Sequence, residues 1–271
     1  GLMYLFLLNI GIAAPVAVVG MAMLALSPWH IALSRWAIPP AIVPFTLMLT
    51  LWLASRASKT KTHFWTSWLG FAASASVLTY SYPTQKLFAP LFVFVIVVVF
   101  LYPRWKAGAA ILIGYAMSVL PMFWLALQDP RRYNARFNDV ALDFHQSGVT
   151  FEVLRRYGEY WLSDFHFGRG DTDPMHHVPG TGAMYPIVAA LFYFGIAVVL
   201  ANVVGCSSIK VGVSRRIGIV LLSWLVLFPI PASLTRDHMH LLRAVHGLPA
   251  VVVFSSVGLE GLLGIIVSVK A

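Results

Sequence analysis

Two carboxylates and two imidazoles crowd one short stretch of the chain, at Asp171, Asp173, His176 and His177. Side chains of these types ligate divalent metals, form carboxylate–imidazole acid–base pairs, or cap loops. Gly168, Gly170, Gly180 and Gly182 surround them and allow tight turns and close backbone approach. A second constellation runs from Thr235 to Arg243 and contains Arg236, Asp237, His238 and His240. If it begins as a helix, Arg236, His240 and Arg243 share one face at i, i+4 and i+7, a cationic face suited to a phosphate. His238 and His240, two residues apart, would then face different ways, which speaks against a zinc pair there. Two smaller clusters are Ser27-Pro28-Trp29-His30 followed by Arg35, and the turn from Tyr80 through Tyr82 to Lys86. Ser-Pro reads as a helix exit and Trp29 as an interfacial anchor. Arg35 reads equally as an anion ligand or a snorkelling cation. Lys86 beside a hydroxyl-rich turn suits a phosphate at a membrane surface. No GxSxG, P-loop or GxGxxG is present, which argues against an ATP-driven pump and against a nucleotide-sugar enzyme with a Rossmann domain.

The elements that must position these groups are apolar helices. The 271 residues are 59% hydrophobic and only 11% charged, against roughly 25% charged in soluble domains. Such a chain cannot cover a globule with polar surface, so its solvent is lipid. Eight spans are predicted, at about 2–26, 37–54, 64–82, 87–103, 107–127, 186–204, 217–232 and 243–265. The run 91–101 is strand-like in composition, but lipid demands a helix. The predicted organisation is membrane helices over 1–127, a polar region with short helices over 128–185, and membrane helices over 186–271. The stretch 151–161 is amphipathic enough to lie along the membrane surface.

Charge alternates between the gaps. Arg56, Lys59, Lys61, Arg104, Lys106, Lys210, Arg215, Arg216 and Lys270 form one set with no acidic residue. The other gaps hold the remaining Lys and Arg with nine of the ten acids, leaving only Glu260 inside an apolar run. The positive-inside rule assigns the first set to the cytoplasm and the polar clusters to the outer face of the cytoplasmic membrane. The net charge of +9 therefore reflects topology and contact with anionic lipid. Nucleic acid is a poor partner, because the charges form no continuous stripe. The single Cys206 allows no internal disulfide. The chain begins with Gly1 and enters a span at once, which reads as a fragment with upstream residues missing.

Taken in order, Ser27-Pro28-Trp29-His30 with Ser34-Arg35, the Tyr80–Lys86 turn, Phe167-Gly168-Arg169-Gly170-Asp171 with His176-His177, Gly180-Thr181-Gly182, and the segment His240 to Ala250 resemble the bacterial family-39 glycosyltransferases. These are protein-mannosyltransferase-like membrane enzymes of the GT-C class, related to the lipid A aminoarabinose transferases. The resemblance runs from about Gly11 to Gly258. It implies a GT-C fold, a polyprenyl-phosphate sugar donor and inverting transfer on the outer face to a glycan, lipid or protein acceptor. It also implies a catalytic Asp in a first outer loop, expected upstream of this chain, so the catalytic residue is unassigned. Arg35, Lys86, Arg236 and Arg243, with His238 and His240, are the donor-phosphate ligands on this reading. Tyr82, Arg169, Asp171, His176 and His177 would shape the acceptor side. No cofactor is required, and a divalent metal is compatible, with Asp171, Asp173, His176 and His177 the one dense candidate set. The alternative is a transporter or flippase for a lipid-linked anion, which predicts charges and broken helices near the midplane.

Overall fold

The computed structural model describes every residue except 37, 61, 172, 174, 175, 177–179, 208, 210 and 271, together with the side chains of 136, 269 and 270. Among the described residues the fold is all-helical, and the only strand-like pairing is a single antiparallel bridge between Ala141 and Thr235. Among the described residues, five stretches are long and apolar enough to cross a membrane: Pro39–Lys59, Gln85–Gln128, Pro186–Val204, Arg215–Ser233 and Val245–Ser268. The second of these contains two helices, α6 (Gln85–Leu101) and α7 (Trp105–Gln128), joined by one tight turn over Tyr102–Arg104. Gly108 packs against Val97 and Leu101, so the two run antiparallel. The Val-rich run 91–101 is thus helical, as lipid requires.

The first predicted span is corrected. Residues 2–26 form a hairpin of α1 (Leu2–Asn9) and α2 (Ala14–Leu26) rather than one helix. The Gly1 amine lies 3.3 Å from Met21 Sδ, and Leu7 lies against Gly20. Gly11 adopts φ +98, a turn conformation open to glycine, and Pro15 starts the next helix. Uniform hydropathy hid that break. α2 meets α3 (Pro28–Arg35) at a 50° bend, where Ser27 takes the extended backbone that a following proline imposes.

Helices α4 (Val43–Lys59), α5 (Phe64–Ser81), α10 (Pro186–Val204), α11 (Arg215–Leu227) and α13 (Leu248–Lys270) complete the bundle. Neighbours form a ring: α1 on α2, α2 on α13, α13 on α10, α10 on α11, α11 on α6, α6 on α5, α5 on α4, and α4 on α1. α7 packs outside the ring on α5 and α6. α5, predicted as a span, is not among these five stretches; it sits against α4, α6 and α7. Its hydroxyls find partners there: Thr79 pairs with Tyr115 at 2.6 Å and Ser76 with Ser118 at 2.5 Å.

The two ends of the bundle differ in chemistry. At the basic end Asn9 donates to Ser55 Oγ at 2.6 Å, Lys59 donates to the Asn9 carbonyl, and Gly11 packs on Gly212. Glu260, the lone acid in an apolar run, accepts from the Ala13 amide there. The polar end carries α8 (Pro130–Val140), α9 (Val149–Glu159), α12 (Ile230–Ser233) and the loop that leads into α13. The segregation that the gaps predict is therefore present in the fold, and the chain has the build of a helical membrane protein.

Candidate functional site

The loop 234–247 crosses the polar end and is not a helix before a short turn at Val245–Gly247. Met239 takes a positive φ of 42. The condition for a shared helical face of Arg236, His240 and Arg243, a helical start to this segment, is therefore not met. Pro229, Pro231 and the single bridge to Ala141 break the chain into short pieces before the first of them.

Two segments hold this loop from the side. Arg156 on α9 is buried; its Nη1 donates to the Thr235 carbonyl at 3.0 Å and to the Arg236 carbonyl at 2.5 Å, while Nε donates to Glu152 at 2.8 Å. The Tyr160 hydroxyl accepts from the His240 amide at 2.9 Å. Tyr160 is buried against Phe165 and Phe228, and burial pushes its phenol well above the usual range. Next, the 168–182 stretch docks through Asp171. Its carboxylate accepts from the Leu241 amide at 2.6 Å and from the Asp173 amide at 2.8 Å. Gly182 allows the approach, since a side chain there would strike the backbone of Phe167. Trp29 on α3 closes the other side, donating to the Leu241 carbonyl at 3.2 Å.

The result is a buried cluster drawn from two distant stretches of sequence. His240 Nδ1 lies 3.6 Å and His176 Nδ1 3.8 Å from Asp171 Oδ2. The two imidazoles stack with centroids 4.8 Å apart. Neither Nδ1 makes a hydrogen bond with the described residues. Burial, reinforced by the Arg243 charge, holds the His240 pKa down at about 3. Arg243 is itself buried, pairs with Asp237, and leaves Nη1 without a hydrogen-bond partner among the described residues.

The remaining sequence candidates separate. His238 turns to Glu159, with Nδ1 2.9 Å from Oε2. Asp173 stays at the edge of the cluster, half-exposed, with Oδ2 3.6 Å from His176 Nδ1. His177 lies outside the described residues. Arg169 pairs with Asp164 at 2.5 Å on the surface. Tyr82 sits in the extended link between α5 and α6. Lys86 Nζ rests 3.9 Å from the centre of the Tyr133 ring. Arg236 donates to the Ala141 carbonyl at 2.7 Å and lines an open cavity of about 290 Å³ with Asp143, His145 and Phe144. Arg35 is exposed at the end of α3. Of the four predicted cations, Arg243 is the one placed against the Asp171–His176–His240 cluster; the other three have separate surroundings. Sequence reasoning missed Arg156, Glu159 and Tyr160 as organisers, because they look like ordinary residues of an amphipathic helix. Comparisons with known proteins add nothing to this picture: no family model, no curated protein and no solved structure matches the chain.

Proposed function

We propose that the chain belongs to an integral membrane glycosyltransferase that moves a sugar from a polyprenyl-phosphate donor to an acceptor at the polar end of the bundle. On this reading that end faces outward from the cytoplasmic membrane. The observation that carries the proposal is Arg243: a buried guanidinium, held on one side by Asp237, with Nη1 unpartnered among the described residues. A spare charged N–H withdrawn from water favours an anionic oxygen, and guanidinium geometry suits phosphate. In the transfer, the acceptor hydroxyl oxygen bonds to the anomeric carbon as the bond from that carbon to the donor phosphate oxygen breaks. Negative charge grows on the departing lipid phosphate, and a fixed cation stabilises it there. The hydroxyl proton passes to a carboxylate base, which is not assigned to a residue here. Arg35, Lys86 and Arg236 keep only the role that the sequence resemblance gives them. Charge concentrated at the helix ends favours an interfacial enzyme over a transporter or flippase, whose charges would lie near the midplane.

The test is sugar transfer by the full-length protein in proteoliposomes, supplied with a synthetic polyprenyl-phosphate sugar and cell-envelope acceptors. Arg243→Ala should slow transfer by roughly 10²–10³-fold. Arg155→Ala, at a surface ion pair with Glu152, should leave it unchanged. Equal rates for Arg243→Ala and the unmodified protein would remove the proposal.

A further inference from the structure

We propose that Asp171, His176 and His240 form a binding site for one divalent transition-metal ion, zinc in preference, which clamps the 168–182 segment to the 234–247 loop. One ligand atom from each of the three residues falls within 4.8 Å of the others. The spacing itself discriminates between explanations. Had the imidazoles simply bonded to the carboxylate, the nitrogen–oxygen distances would be about 2.7–3.2 Å. They are 3.6 and 3.8 Å. Zinc bonds of about 2.0–2.1 Å in tetrahedral geometry hold ligand atoms roughly 3.4 Å apart, close to both nitrogen–oxygen separations. Both Nδ1 atoms are buried and make no hydrogen bond with the described residues, a state that buried polar nitrogens rarely hold without a ligand.

The surroundings agree. Two imidazoles and one carboxylate are a donor set that zinc accepts, with a further position left for water or another oxygen. Amides of Leu241 and Asp173 fix the Asp171 carboxylate, as outer-shell groups do around metal ligands. Arg243, beside the site, has its charge offset by Asp237. The ligands come from segments about seventy residues apart, so an ion here would cross-link two loops.

The experiment uses the full-length protein in detergent, stripped with a chelator and titrated first with Co²⁺ and then with Zn²⁺. One cobalt per chain should bind with the intense visible absorption of tetrahedral coordination, and zinc should displace it and raise the Tm. His176→Ala and Asp171→Asn should each weaken binding by at least about tenfold, while His238→Ala, whose ring pairs with Glu159, should leave it unchanged. If a variant unfolds, the titration of the unmodified protein still decides. Absence of stoichiometric metal in the unmodified protein would overturn the inference, and so would binding that survives in both His176→Ala and His240→Ala. The readout is metal content and not sugar transfer, so this inference and the proposed function fail separately.

Discussion

Arg156 illustrates how one side chain can organise a site it does not enter. Its guanidinium joins α9 to the carbonyls of Thr235 and Arg236 and so fixes where the 234–247 loop begins. Nothing in its local sequence marks it out; an Arg two turns into an amphipathic helix usually faces water. Asp171, His176, His240 and Arg243 were legible by residue type, because carboxylates, imidazoles and guanidinia in the polar gaps have few structural duties. Their grouping was not, because it depends on which amide Asp171 accepts from, and sequence does not record that. His166 makes a residue-scale prediction. It is fully buried, and neither ring nitrogen makes a well-formed hydrogen bond among the described residues. Burial lowers its pKa from 6.5 to about 4. The unfolded chain therefore takes up a proton below about pH 6.5 that the folded chain refuses until about pH 4. Its contribution is full above about pH 7 and is lost as pH falls across that window, by about 3 kcal/mol in all. Denaturation of His166→Phe in detergent should show a flatter acid limb than the unmodified protein. An identical pH profile would contradict the assignment.

Among the elements, the tightest contact is between α10 and α13, which run parallel. Gly195 and Gly258 let their backbones touch: a side-chain carbon at Gly195 would lie 1.9 Å from the Phe254 carbonyl oxygen, and one at Gly258 2.2 Å from that of Leu191. Small residues at such crossings are how helices associate in lipid, where hydrophobicity supplies no drive. Gly195→Ala and Gly258→Ala should each destabilise the fold by about 1–3 kcal/mol. Gly114→Ala, with open space around it, should be neutral; thermal melts of the three variants check the contrast. Sequence reading placed most long helices well, because twenty apolar residues leave lipid-exposed backbone few alternatives. It failed at residues 2–26, where Asn9, Gly11 and Pro15 carry the hairpin signal inside an unbroken apolar run. It left 235–243 open, with a helical face only if the segment began as a helix; tertiary contacts with α9 and Asp171 impose a loop there.

For the molecule as a whole, the alternation of charge between gaps was the most readable feature, and its partition into a basic and a polar end reappears in the bundle. That partition follows from physics that acts on the entire chain: cations stay on the side where they are retained, and polar loops gather on the other. On the proposed function, the polar end is the place where an anionic lipid headgroup would meet Arg243. The most direct measurement is the affinity of the full-length protein in nanodiscs for polyprenyl phosphate without sugar, compared with that of Arg243→Ala. The account predicts saturable binding that weakens by roughly tenfold or more in the variant. Equal affinity in the two proteins, or no saturable binding in either, would contradict it.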